Sequence, residues 1–135
     1  MDEWIEKAFS AACETRLRAH APYSNFLVGA AVKAVGHDTI FTGCNVENAS
    51  YGGTVCAERV ALFNLVAAIG KQPIEFMVLV TDTQPAAPPC GFCRQVMSEF
   101  ATPDFAVHFA NLAGIEKTVP FSELLPFPFD DGNLS

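Results

Sequence analysis

Three cysteines and one glutamate stand at spacings that could support chemistry. Cys90 and Cys93 are three residues apart at the predicted start of a helix, so their Sγ atoms can lie on one side of its first turn. Cys56 begins another predicted helix, 34 residues before Cys90. Because the dipole at a helix N-terminus favours the thiolate form, these positions suit metal ligands. The pattern predicts that three thiolates bind one metal ion.

Three protein ligands with a fourth position left open are typical of catalytic zinc, whereas structural zinc has four protein ligands. Zinc lowers the pKa of a water molecule bound at the open position. Glu58 lies two residues after Cys56, so its carboxylate could reach the same water. We therefore expect Zn²⁺ as cofactor and Glu58 as the catalytic group that moves protons between water and substrate.

Two arginines adjoin the predicted zinc ligands. Three thiolates, one zinc ion and one hydroxide sum to a charge of −2, which requires compensation near the metal. Arg59 and Arg94 could supply it by donating N–H groups to the sulfurs. The alternative is that both arginines form ordinary salt bridges at the surface.

The composition excludes several classes of protein. Half of the 135 residues are hydrophobic, so a packed core is expected, and the length suits one domain over residues 1–135. The net charge of −7 argues against a nucleic-acid polymer or an anionic membrane as partner. An odd number of cysteines and an acidic N-terminus without an apolar leader predict a cytoplasmic protein with free thiols.

The hydrophobic pattern predicts the elements that position these residues. Helices are expected over residues 2–19, 55–69 and 90–100, with Thr54 as the N-cap of the second. Strands are expected over residues 26–35, 39–46, 74–81, 105–110 and 116–119, followed by a short helical turn capped by Ser122. The first two strands would form a hairpin, and the third and fourth a parallel pair around a helix. The predicted fold class is α/β: a mixed five-stranded sheet in a three-layer α/β/α arrangement.

Six segments in this order resemble those of the zinc-dependent nucleoside deaminases, a superfamily known for this type of zinc site. The resemblance to the small homotetrameric cytidine deaminases is close. The segments are Ala21-Pro22-Tyr23-Ser24-Asn25-Phe26, Val28-Gly29-Ala30-Ala31, Gly43-Cys44-Asn45-Val46-Glu47-Asn48, Cys56-Ala57-Glu58-Arg59, Pro89-Cys90-Gly91-Phe92-Cys93-Arg94-Gln95 and Leu124-Leu125-Pro126. The resemblance implies a cytidine-deaminase-like fold. It also implies hydrolytic deamination of cytidine and 2′-deoxycytidine, with release of ammonia.

The resemblance also implies which residues bind a pyrimidine nucleoside. Asn45 and Glu47 would contact the ribose, and Phe26 would pack on the pyrimidine face. Ala57, through its backbone, and Glu58 would contact the polar edge of the base. Tyr51 and Phe129 would close the pocket from neighbouring subunits of a homotetramer. From the residues alone, Phe26 could instead belong to the core, and Asn45 and Glu47 could be solvated turn residues.

The chain departs from the family pattern between the paired cysteines, where Gly91-Phe92 replaces the usual Gly-Ala and adds bulk near the predicted metal. A deaminase of a modified cytidine or another aminated heterocyclic nucleoside is therefore an alternative. A structural zinc domain that binds proteins is a second alternative, and it would need a fourth ligand. A panel of substrates and the zinc coordination would distinguish these functions.

Overall fold

The computed structural model describes residues 2–102 and 105–134. Its order of helices and strands matches the predicted one. The elements are α1 (Glu3–Arg16), β1 (Val28–Ala34), β2 (Ile40–Cys44), α2 (Ala57–Ile69), β3 (Ile74–Thr81), α3 (Gly91–Ser98), β4 (Ala106–Asn111), β5 (Gly114–Pro120) and α4 (Phe121–Leu124). Single turns of 3-10 helix at Tyr51–Gly53 and Asp131–Leu134 were not predicted. Within the described residues, no helix is both long and apolar enough to cross a bilayer.

The five strands form one mixed sheet in the order β2-β1-β3-β4-β5. β1 is antiparallel to both β2 and β3, while β3 and β4 are parallel. The hairpin and the parallel pair are thus confirmed. α3 lies between β3 and β4 in sequence, so the chain crosses from one parallel strand to the next through the helix that carries Cys93.

Helices cover both faces of the sheet, which confirms the three layers. On one face, Ala8 and Ala12 of α1 pack against the sheet in a cluster that includes Phe76 and Val78. On the other face, α2 and α3 pack against the opposite side chains of the same strands. β3 is central and covered on both faces, which explains its nearly continuous apolar sequence.

The helices that precede and follow the hairpin are shorter than predicted. α1 ends at Arg16, where a turn with shorter-range hydrogen bonds follows: Leu17 N donates to Glu14 O (3.2 Å) and Arg18 N to Thr15 O (2.9 Å). The chain then becomes extended at His20, whose N–H donates to Asn45 O (3.0 Å). α2 begins at Ala57, and Cys56 rather than Thr54 is its N-cap. Val55 N donates to Val46 O (2.9 Å), so the backbone before Cys56 is held extended and cannot join the helix.

The last helix also begins differently from the prediction. Pro120, the final residue of β5, is the N-cap of α4, so Ser122 lies within the helix instead of capping it. Phe121 N donates to Phe105 O (2.8 Å), which fixes the start of the helix beside the residue that precedes β4. The tail is therefore anchored immediately after the sheet ends.

We expect Gly43→Ala to lower the free energy of unfolding by about 1–3 kcal/mol, as overpacking does. A Cβ at Gly43 would lie 2.6 Å from Ala57 O, so α2 could not pack this closely on β2. Chemical denaturation measures the effect. Gly52→Ala is the matched control because a Cβ there meets no atom within 4 Å. Equal stabilities of the two variants would show that this close approach is not required.

Candidate active site

The sulfurs of Cys56, Cys90 and Cys93 form a cluster at the N-termini of two helices. The three Sγ atoms lie within 4.8 Å of one another, and those of Cys56 and Cys90 are 3.9 Å apart. Cys56 is the N-cap of α2 and Cys90 the N-cap of α3. Cys93, buried in the first turn of α3, donates its backbone N–H to Cys90 Sγ (3.4 Å). The packing of α2 beside α3 thus brings the three thiols together.

The surroundings favour a thiolate in this cluster. Hydrogen bonds from the Cys93 thiol and the Arg59 guanidinium lower the pKa of Cys56 to about 5, against the opposing effect of burial. The same hydrogen bond to Cys56, followed by burial, raises the pKa of Cys93. Three sulfurs this close to one another and to the Arg59 guanidinium favour loss of a proton from the cluster. A divalent cation would replace the thiol protons.

The donor set fits zinc. Thiolates at tetrahedral spacing are the ligands that Zn²⁺ prefers in proteins. Over residues 2–102 and 105–134, no fourth His, Cys, Asp or Glu side chain joins the sulfur cluster. A zinc ion held by the three sulfurs would therefore keep one coordination position for a water or a substrate, which a closed structural site would not.

Glu58 is a buried carboxyl group beside the sulfur cluster. It lies in the first turn of α2, one residue after Ala57, and only 4% of its surface is exposed. Burial, with a smaller contribution from the negative charge of Cys56, raises the pKa of Glu58 to about 7. A carboxyl group with a pKa near neutrality can both accept and donate a proton at physiological pH.

A cavity of about 290 Å³ opens onto the sulfur cluster and Glu58. Seven of the residues that the sequence predicted to be functional line it, and they come from four parts of the chain. These are Phe26, Asn45, Glu47, Cys56, Ala57, Glu58 and Cys90. The size and the mixed lining suit a small polar ligand with one flat apolar part.

Asn45 and Glu47 also hold the segment that carries Phe26. The Asn45 amide donates to Phe26 O (2.7 Å) and accepts from Val28 N (2.9 Å). The Glu47 carboxylate accepts from the backbone N–H groups of Tyr23 and Ser24, at 3.0 and 3.1 Å, and from the Ser24 hydroxyl. The Ser24 hydrogen bonds lower the pKa of Glu47. The two side chains therefore fix the edge of the cavity, a role that the sequence did not indicate.

Arg59 lies between the sulfur cluster and Phe92. Its Nη2 is 3.6 Å from Cys56 Sγ and 3.4 Å from Thr54 O. The guanidinium carbon lies 4.3 Å from the centroid of the Phe92 ring, a cation–π contact. Arg59 Nε is buried and has no hydrogen-bond partner among the described residues. Phe92 thus shields a charged group that faces a predicted ligand.

Arg94 does not contact a sulfur and instead fastens backbone segments. Its Nε donates to Pro89 O (3.0 Å) and its Nη1 to Leu124 O (3.1 Å). The expected N–H···S contact is replaced because Arg94 points toward α4, away from the cluster. It ties the residue before Cys90 to the tail of the chain.

Tyr51 and Phe129 lie outside the cavity. Tyr51 is 76% exposed, packs edge-on against Tyr23 (5.9 Å between ring centroids) and lines a neighbouring groove with Glu47 and Thr54. Phe129 is 58% exposed, and its carbonyl accepts from Gln95 Nε2 (2.8 Å). Neither ring reaches the cavity of its own chain.

Several cavity residues were not predicted from the sequence. They are Ser24, Val28, Thr54, Leu79, Thr81, Ala87 and Pro88. Ser24 and Val28 lie in segments already singled out, so their position beside Phe26 was a usable signal. Thr54 follows the 3-10 turn before Cys56, Leu79 and Thr81 lie in the last part of β3, and Ala87 and Pro88 lie in the proline-containing connection before α3. At these positions, spacing along the chain gives no indication of the cavity.

Comparisons with known proteins agree with this geometry. A family model described as the cytidine and deoxycytidylate deaminase zinc-binding region matches residues 2–109. The chain is 44% identical over 118 residues to a cytidine deaminase of Halalkalibacterium halodurans, covering 87% of this chain and 88% of that protein. It is 40% identical over 131 residues to a cytidine deaminase of Sporosarcina psychrophila, covering 97% and 95%.

A solved structure gives the same result. The crystal structure of cytidine deaminase from Burkholderia pseudomallei superposes with a TM-score of 0.85 at 42% identity, covering 96% of this chain and 100% of that one. The fold, the resemblance and zinc as the cofactor of this cysteine cluster are thereby confirmed. The chain belongs to the cytidine and deoxycytidylate deaminase family.

Proposed function

We propose that this protein hydrolyses cytidine and 2′-deoxycytidine to uridine and 2′-deoxyuridine, releasing ammonia. The observation that carries the proposal is the convergence of three thiols and a buried carboxyl group at one cavity. The relatives named cytidine deaminase, which match nearly the full chain, favour this substrate over a modified nucleoside. Cys56, Cys90 and Cys93 would hold Zn²⁺, which supplies Lewis acidity and makes bound water more acidic.

Glu58 is assigned the proton transfers. Its carboxylate accepts a proton from the attacking water and delivers it to N3 of the pyrimidine while the water oxygen bonds to C4. It then transfers the second proton of that water to the amine, which leaves as ammonia when the C4–N4 bond breaks. The pKa near 7 suits both directions of transfer, and burial keeps bulk water from competing.

The remaining cavity residues are assigned to binding. Phe26 packs on the pyrimidine face, and the Ala57 backbone contacts the polar edge of the base. Asn45 and Glu47 contact the ribose hydroxyls with the hydrogen-bonding capacity that their backbone contacts leave. A carboxylate has four lone-pair sites, so Glu47 can bind the loop and a hydroxyl together.

Arg59 is assigned to stabilise the negative charge of the thiolates, with Phe92 holding it in place. We expect Phe92→Ala to speed zinc loss to a chromogenic chelator about fivefold, which corresponds to a cation–π contribution of roughly 1 kcal/mol. Phe92→Tyr keeps the ring and should release zinc at the parental rate. Identical rates for the alanine variant and the parent would remove this role from Phe92.

We further propose that residues 1–135 form one catalytic domain, which acts in the cytoplasm as a homotetramer. The exposed rings of Tyr51 and Phe129 support shared sites, because each would close a neighbouring subunit's cavity. Exposed Phe63 and Val66 on α2 give apolar surface for such an interface. Light scattering should give a tetramer, and a stable, active monomer would contradict the assembly.

The direct test of the function is the loss of cytidine absorbance together with ammonia release by the zinc-loaded protein. Cytidine and 2′-deoxycytidine should both react, while cytosine should react poorly because it lacks the ribose. An N4-substituted cytidine and adenosine complete the panel and test the alternative substrates. A zinc-loaded protein that leaves every cytosine nucleoside unchanged would overturn the proposal.

A further inference from the structure

The connection between β3 and α3, residues 82–89, forms one wall of the cavity. Ala87 and Pro88 line the cavity directly, and Cys90 follows two residues later. The segment contains three prolines, at positions 85, 88 and 89, which have no backbone N–H to donate. Few groups are therefore available to attach this wall to the rest of the molecule.

Two of those groups are bound by side chains from other elements. Ala86 N donates to Glu116 Oε1 (2.9 Å), and Ala87 N donates to Thr81 Oγ1 (3.2 Å). Thr81, at the end of β3, is 1% exposed, so its contact is part of the core. Glu116 is exposed and lies on β5. Its contact therefore links the segment to the β4–β5 hairpin, which comes later in the chain.

Asn111 at the end of β4 adds to the attachment, next to the Thr81–Thr83 hydroxyl contact (2.8 Å) and the Arg16–Asp82 ion pair (4.0 Å). Its Nδ2 donates to Glu116 Oε2 (2.7 Å) and to Thr83 O (3.3 Å). Its Oδ1 accepts from Ala113 N (3.0 Å), and the residue is 5% exposed. Asn111 thus orients the carboxylate that binds Ala86 while it holds the other end of the segment itself. We call Asn111 and Glu116 the hairpin clamp.

We propose that the hairpin clamp positions the 82–89 wall for substrate binding, so that it sets KM and leaves the proton transfers to Glu58. This inference rests on the proposed function, because the cavity is taken to bind the nucleoside. Neither clamp residue lines the cavity, so both act through the backbone of the segment. The hydrogen bond from Ala86 N to the Glu116 carboxylate is charge-assisted, and Ala86 N is one of the few backbone donors of this proline-containing segment.

The test compares Glu116→Ala with Lys117→Ala, a neighbouring exposed residue on the same strand that does not contact the segment. For Glu116→Ala we expect KM for cytidine to rise about fivefold, the effect of losing one or two hydrogen bonds, with kcat within about twofold. Amide exchange in a peptide covering residues 82–89 should become about tenfold faster. Zinc content should equal that of the parent.

A second variant separates charge from shape. Glu116→Gln keeps an oxygen for Ala86 N but places an amide group against Asn111 Nδ2, two donors facing each other. Its KM should lie between those of the parent and the alanine variant. Lys117→Ala should match the parent in every measurement.

The inference is overturned if Glu116→Ala leaves both KM and exchange unchanged, or if it lowers kcat or zinc content instead of raising KM. A parent protein that binds zinc but does not react with cytidine would contradict the proposed function. In that case the exchange measurement still decides whether the clamp holds the segment.

Discussion

Glu58→Gln should lower kcat for cytidine by about a thousandfold, the size of a lost general acid–base contribution, while zinc stays bound. The amide has nearly the shape of the carboxyl group but cannot carry a proton between water, N3 and the amine. Glu58 is 4% exposed and lies beside the sulfurs, so a substitution of similar shape preserves the packing. Steady-state kinetics and metal analysis of the same preparation measure both effects.

Glu123→Gln is the matched control, because Glu123 also lies in the first turn of a helix but is exposed and outside the cavity. It should retain parental kcat and zinc content. A Glu58→Gln variant that reacts within a few-fold of the parent would remove Glu58 from the proton transfers. A variant that loses zinc would indicate that the carboxylate helps hold the metal.

Cys93→Ala should lower zinc affinity by on the order of a thousandfold, since each of three ligands supplies several of the roughly 10–16 kcal/mol typical of thiolate-rich sites. Activity should fall with zinc content. The side chain is buried in an apolar setting, so alanine fits without introducing a polar group. Competition with a chelator of known affinity measures the change.

Cys13→Ala controls for the loss of a cysteine as such. Cys13 is a free cysteine on α1, partly buried and outside the sulfur cluster, and burial raises its pKa. It should bind zinc as tightly as the parent. A zinc affinity equal to that of the parent in Cys93→Ala, or a strongly reduced affinity in Cys13→Ala, would contradict the three-cysteine assignment.

The helix starts show why cysteine spacing was informative. A cysteine at an N-cap places its sulfur beside backbone N–H groups that lack partners within the helix. Cys90 accepts from Cys93 N there, so the turn that caps α3 also orients two sulfurs. The local geometry of the helix start therefore places the sulfurs of Cys90 and Cys93 close together. The approach of Cys56 depends on α2 packing beside α3, and the sequence could only imply it.

Local pattern predicted the sheet well. β3 has the predicted bounds, Ile74–Thr81. A strand that is covered on both faces needs apolar side chains along nearly its whole length, so the apolar run marks where it begins and ends. The start of α2 was predicted too early because Val55 is held extended by backbone hydrogen bonds to Val46. Val46 lies nine residues earlier, so a pattern of neighbouring residues does not reveal this pairing. Tertiary hydrogen bonds override a cap preference in such cases.

Residues with partners far along the chain were the hardest to predict. Arg94 stands next to Cys93, which suggested a sulfur contact, yet its partner Leu124 O is 30 residues away. Asn45 and Glu47 were predicted as ligand residues from the resemblance, and their contacts to the backbone before β1 could not be read from spacing. Glu116, 30 residues from Ala86, gave no signal at all.

X-ray absorption spectroscopy of the zinc-loaded protein shows directly whether three sulfurs and one lighter ligand surround the zinc. We expect three sulfurs at about 2.3 Å and one oxygen or nitrogen at about 2.0 Å. Binding of a hydrated pyrimidine nucleoside that resembles the transition state should change only the lighter ligand. Four sulfurs, or a spectrum unaffected by that compound, would contradict an open catalytic site.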